Sequence, residues 1–141
     1  MITEKQYKEY IKDFNSTFVP GGMSLGEFFD RYYEPEATFE YIPQAKKNAG
    51  REQVLAFWHG VSGLMDETIL DHTHFLATPT AVAAEAPIDF VCKQDIDWVG
   101  VQHKAGSKFR LMMAAFYDVS PNNKFSYVRV YSIYKPAYRP D

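Results

Sequence analysis

The chain has 141 residues, with 15 Lys+Arg against 18 Asp+Glu and a formal net charge of −3. That length suits a single domain, 1–141, able to bury a core without disulfides, and the lone Cys92, set in an apolar run, excludes an intramolecular bridge. The acidic balance gives no support to nucleic acid as a partner, and the chain shows neither a basic-then-apolar leader nor an apolar run of about 18 residues, so the expectation is a cytoplasmic protein without a membrane partner.

Thr3 and Gln6 have capping-box spacing, and Tyr7, Tyr10, Ile11, Phe14 and Phe18 then recur at helical intervals, predicting a first helix that ends before Pro20-Gly21-Gly22. Ser24 and Glu27 repeat the device, with Met23 and Phe28 at the spacing of a hydrophobic staple. This predicts a second helix to about Tyr33, closed off by Pro35. Ala37 to Ile42 reads as a strand with Phe39 and Tyr41 on one face. After a loop over Pro43 to Gly50, the positions Val54, Phe57, Trp58, Val61 and Met65 mark a third helix. Beyond Glu67 the pattern is sheet-like, over roughly 68–77, 81–93, 108–119 and 124–134. Pro79, Gly106 and Pro121-Asn122-Asn123 are the breaks, and Ile96, Trp98, Val99 and Val101 fit either a hairpin or a flap. Helices followed by strands argue for an α+β domain: about three N-terminal helices on one face of a largely antiparallel sheet.

Chemistry concentrates in Asp71-His72-Thr73-His74 and in the following strand with Glu85 and Asp89. On one continuous strand, residues two apart share a face, so His72 and His74 are expected on the same side. An imidazole can remove a proton and return it to a leaving hydroxyl while a carboxylate orients it. His72 and His74 with Glu85 or Asp89 could instead supply nitrogen and oxygen ligands to a metal. That alternative lacks a demonstrated three-ligand geometry, so the expectation is no metal and no cofactor. His72 as a hydrogen-bonded wall residue, Asp89 as a bulge partner beside Pro87, and His59 and His103 as structural or exposed groups are the plainer readings.

The order of elements, with Glu36-Ala37-Thr38-Phe39-Glu40-Tyr41 after two helices and Gly50-Arg51-Glu52-Gln53-Val54 opening the third, resembles the nuclear transport factor two-like superfamily, specifically its SnoaL-like branch. The resemblance covers nearly the whole chain. It implies a cone-shaped α+β fold, a curved, largely antiparallel sheet enclosing an apolar pocket with the helices, and commonly a homodimer. It also implies that His74 stands near a catalytic histidine of dehydratase members, Tyr41 near an assisting tyrosine, and Asp89 near a second acid/base group. The sequence departs from the epoxide hydrolase members: Phe39 and Tyr41 replace Tyr and Asn, no arginine lies two residues before Asp89, and Val130 takes the second carboxylate position.

Alternation puts Leu111, Met113 and Tyr117 on one face with Val128 and Val130, and these, with Phe39 and Trp58, are expected to line a pocket for a hydrophobic small molecule. The opposite face carries Met112, Phe116, Tyr131 and Ile133 and is expected to meet a second copy. The reading is a cofactor-free dehydratase-type lyase, isomerase or cyclase acting on a hydrophobic oxygenated compound such as a polyketide, terpenoid or steroid-like molecule. His74 would be the acid/base group, Asp89 its orienting partner, His72 an auxiliary group and Tyr41 the hydrogen-bond donor. The alternative is a non-catalytic ligand-binding or dimerisation module.

Overall fold

The computed structural model describes residues 1–134. Helix α1 spans Glu4–Ser16 and opens on a complete capping box: the Gln6 amide donates to Thr3 Oγ1 at 3.2 Å, and the Thr3 amide donates to Gln6 Oε1 at 2.9 Å. Helix α2, Leu25–Tyr32, is capped by Ser24, whose hydroxyl accepts from the Glu27 amide. The chain then runs through β1 (Tyr33–Tyr41), a 3-10 turn, β2 (Lys46–Ala49), α3 (Arg51–Leu64), β3 (Met65–Ile69), β4 (His74–Thr78) and β5 (Ala81–Cys92). A small hairpin of β6 (Ile96–Trp98) and β7 (Val101–His103) precedes the long strands β8 (Lys108–Val119) and β9 (Phe125–Tyr134).

The main sheet has the order β2-β1-β9-β8-β5-β3, with β4 also paired to β5, and it curls into a half-barrel that the helices cover. All pairings are antiparallel except β1 with β9, which is parallel, so β1 starts earlier than Ala37 and joins the end of the chain to its first third. The stretch between Pro43 and Gly50 is not all loop, because Lys46–Ala49 folds back on β1 as β2. On the concave face Val82, Ala84, Ala86, Ile88 and Phe90 stand opposite Tyr117, Ala115, Met113, Leu111 and Phe109 in turn. The middle of that face is therefore paved with alanines at 84, 86 and 115. Large side chains at the ends of the rows and small ones at the centre leave a hollow that close packing would otherwise fill.

The predicted strand 68–77 is two strands. Pro87 donates no backbone hydrogen bond, and its carbonyl accepts from the Leu70 amide, so its missing N–H also faces this side of β5. The partner strand breaks there, between Ile69 and His74. The break removes His72 from the strand alternation and separates it from His74, contrary to the expectation that both share a face.

Asn15 on α1 clamps the edge of β3: its side-chain oxygen accepts from the Ile69 amide at 2.8 Å and its nitrogen donates to the Ile69 carbonyl at 2.9 Å. The amide substitutes for a neighbouring strand where the ladder has ended. Replacing Asn15 by Ala leaves both backbone groups unpaired in a partly buried setting. The expected loss is about 1–3 kcal/mol of unfolding free energy in urea titration with an unchanged slope.

Candidate active site

Between the alanine-paved sheet and the helices lies a partly open cavity of about 100 Å³. Its wall is built by Tyr7, Tyr10, Phe14 and Phe18 from α1 and its C-terminal turn, Phe57, Trp58 and Val61 from α3, Phe39 and Tyr41 from β1, and the concave residues of the sheet. Of the residues predicted to line a pocket, Phe39, Trp58, Met113, Tyr117, Val128 and Val130 do, and so does Tyr41, predicted as the hydrogen-bond donor. Leu111 does not: it is buried in the core between Ile88 and β9, beyond the edge of the hollow.

The predicted acid/base residues lie elsewhere. His74 is on the convex side of β4 with 79% of its side chain exposed, and it pairs with Glu85 across the strands at 3.2 Å. His72 packs against Tyr7 and Phe75, and its Nε2 pairs with Glu4 at 2.7 Å. Asp89 projects from the convex face of β5, where Arg110 of β8 holds both its oxygens in a two-pronged ion pair. None of the three lines the cavity. Among the described residues no three His, Cys, Asp or Glu side chains converge as a metal-ligand set.

The one carboxyl among the described residues of the wall is Glu67, on β3, facing the concave side between Met65 and Ile69 and opposite Phe90. It retains some accessible surface, which fits its place along the cavity, but its surroundings are apolar and it makes no hydrogen bond or ion pair within the described residues. Loss of water pushes its carboxyl up to about 8. The neighbouring Asp66 points the other way and takes Lys93 as partner at 3.2 Å. Sequence reasoning passed over Glu67 at the junction of α3 and the sheet. The available signal was a carboxylate interrupting the buried alternation Met65, Glu67, Ile69.

Tyr41, close enough to Glu67 to feel its charge, is raised chiefly by burial, while a hydrogen bond with Ser132 Oγ at 2.8 Å works in the opposite sense. Beside it stands Trp98, delivered by the β6–β7 hairpin, whose turn at Val99-Gly100 uses two positive φ angles and is held by Asp97 accepting from the Gly100 amide. The Trp98 ring lies 5.7 Å from that of Tyr41. Its indole N–H is buried without a hydrogen bond of proper geometry, near enough to the Tyr41 hydroxyl to help hold it down. The residues 94–107, predicted as hairpin or flap, thus form a hairpin that closes one wall of the cavity.

Four further tyrosines line the cavity as two hydroxyl pairs, Tyr7 with Tyr117 at 3.2 Å and Tyr10 with Tyr33 at 2.6 Å. Burial raises Tyr7 to about 12 and the other three well above 10, so all four stay uncharged. The cavity therefore presents one titratable carboxyl, several neutral hydroxyls and aromatic rings, a combination suited to moving one proton within an apolar site.

Because the folded chain holds a proton on Glu67 up to about pH 8 while the unfolded chain releases it in the ordinary carboxylate range, the folded state binds more protons in between. Stability should therefore fall as pH rises from 5 to 8, by on the order of 3 kcal/mol after allowance for the part of Glu67 that water reaches. In Glu67→Gln that slope should be largely gone in denaturant titrations across the same window.

No protein-family profile and no curated protein matches the chain. Solved structures do. A nuclear transport factor two-like protein from Anabaena variabilis superposes with a TM-score of 0.69 at 18% identity, over 93% of this chain and 89% of that one. A candidate SnoaL-like polyketide cyclase from Jannaschia sp. gives 0.68 at 13% identity, over 92% and 86%. A protein of ketosteroid isomerase-like fold from Catenulispora acidiphila, in complex with trimethylamine, gives 0.66 at 12% identity, over 93% and 88%. At these identities the likeness is one of fold, and the chain has the cone-shaped α+β fold shared by ketosteroid isomerase-like, SnoaL-like and other nuclear transport factor two-like proteins.

Proposed function

We propose that the protein is a cofactor-free proton-transfer enzyme, a dehydratase-type lyase, isomerase or cyclase, acting on a hydrophobic oxygenated small molecule. The observation that carries this reading is the unpaired Glu67 carboxyl in an aromatic cavity beside the Tyr41 hydroxyl. Glu67 takes the acid/base role that the sequence pointed to at His74, and Tyr41 keeps the role of donor to a substrate carbonyl or developing enolate. Near neutral pH the carboxyl is mostly protonated and gives a proton first. A substrate that stabilises its ionised form turns it into a base.

The cavity volume sets the scale. A closed apolar hole of roughly 150 Å³ holds benzene, so about 100 Å³ takes one small ring or branched chain, and a polycycle would extend through the open side. Neighbours described as candidate polyketide cyclases or as ketosteroid isomerase-like in fold support the reaction class, and one of them was solved in complex with trimethylamine.

Incubation with monocyclic enolisable ketones in D2O, followed by NMR, tests the assignment. Wild-type protein should catalyse exchange at the α-carbon, Glu67→Gln should lose about a hundredfold or more, and His74→Ala should match wild type. Exchange undiminished in Glu67→Gln would remove Glu67 from the mechanism. Ketones that bind without exchange would favour the binding-module alternative.

The partner proposed is a second copy. Leu76, Phe116, Tyr131 and Ile133 are exposed on the convex face, and Phe116 and Tyr131 pack edge-on at 5.9 Å. Their apolar area stabilises association by roughly 25 cal/mol per Å² removed from water, before orientation costs. Sedimentation at micromolar concentration should show a dimer, and Phe116→Glu with Tyr131→Glu should shift it toward monomer.

A further inference from the structure

The composition of the cavity wall is electrostatically one-sided. Among the described lining residues Glu67 is the sole carboxyl, and there is no lysine, arginine or histidine. Lys93, just past the end of β5, is turned outward onto Asp66. The same wall holds a cluster of rings: Tyr41, near enough to Glu67 to feel its charge, lies 5.7 Å from Trp98 and 6.3 Å from Phe57, which in turn is 5.8 Å from Phe39. A carboxylate without water or counter-ion is costly, and electron-rich rings attract cations. An anionic ligand would find no positive group in this wall, and a neutral hydrocarbon would leave the carboxyl unanswered.

We propose that this cavity binds a small hydrophobic ammonium compound, with Glu67 as its counter-ion and the rings of Tyr41, Phe57 and Trp98 around its apolar groups. The proposal rests on the same cavity as the proton-transfer reading and names the class of ligand that fits it. It joins the two through charge: a cation beside Glu67 favours the carboxylate, which is the form able to accept a proton. The occupied site would then be a base where the empty one is an acid.

Among the described residues lining the cavity, no other group titrates between pH 6 and 9. Tyr41 of β1 and the tyrosines at 7, 10, 33 and 117 are all raised by burial. On β5, Asp89 occupies the opposite face and is held by Arg110. The residue that α1 presents to β3 is the neutral Asn15, and Glu52 and His59 of α3 are exposed to solvent.

Phenyltrimethylammonium and tert-butylbenzene have nearly the same shape and differ in charge, and neither titrates. With the full chain, calorimetry at pH 9 should show the cation binding about tenfold or more tighter than the hydrocarbon, and the advantage should shrink at pH 6 as Glu67 takes up its proton. Glu67→Gln should abolish the preference while tert-butylbenzene still binds, which also shows that the variant is folded. Trp98→Leu should weaken the cation more than the hydrocarbon. Equal or tighter binding of tert-butylbenzene at both pH values, an undiminished preference in Glu67→Gln, or binding of neither phenyltrimethylammonium at millimolar concentration nor tert-butylbenzene at its solubility limit would overturn the proposal. Ketone exchange is a separate measurement, so a cation preference without exchange removes only the enzymatic reading, and exchange without a cation preference removes only this one.

Discussion

Withdrawal of water from the Glu67 carboxyl is the constraint on which the chemistry of this fold turns, and it is produced by packing, not by any charged neighbour. Burial of a lone acid is unfavourable, and the molecule tolerates it because the group can protonate instead of remaining charged. The same enclosure raises Tyr41 and the four paired tyrosines, so every hydroxyl in the wall stays a neutral donor. Among the described lining residues, one carboxyl is thereby left as the only group whose charge can change near neutral pH.

The enclosure has a simple origin in side-chain volume. Alanines at 84, 86 and 115 pave the middle of the concave face, while Phe90, Phe109, Tyr117 and Phe125 fill its margins and stack on one another. The helices rest on the margins and bridge the middle. Their position is fixed by contacts that mimic backbone, notably the Asn15 amide against Ile69, two residues beyond Glu67. The carboxyl is thus positioned by a strand whose free edge is completed by a helix side chain.

Much of the fold could be read from local rules. Both N-caps, the three helices and the long strands β5, β8 and β9 declare themselves through capping residues and alternation, because those signals act over a few residues. The parallel union of β1 with β9 does not, since its partners are about ninety positions apart in sequence. The site was legible in its apolar wall and illegible in its acid. The run Asp71-His72-Thr73-His74 is conspicuous in the sequence because imidazole is a common acid/base group. At His74 it is strand parity that decides, since Glu67 and Ile69 face the concave side while His74 stands opposite Glu85 on the convex side, and the break in the strand takes His72 out of the alternation. Glu67 sits at the junction of the third helix and the sheet, and only the pairing of β3 with β5 turns it inward.

Trp58 and Trp98, the protein's two tryptophans, both belong to the cavity wall, one from a helix and one from the small hairpin. Indole emission depends on the polarity and quenchers around it, and here the whole of that emission originates next to the same hollow. The fold therefore carries a built-in optical reporter: anything that enters changes the light given off by the protein itself, with no label and no knowledge of the reaction.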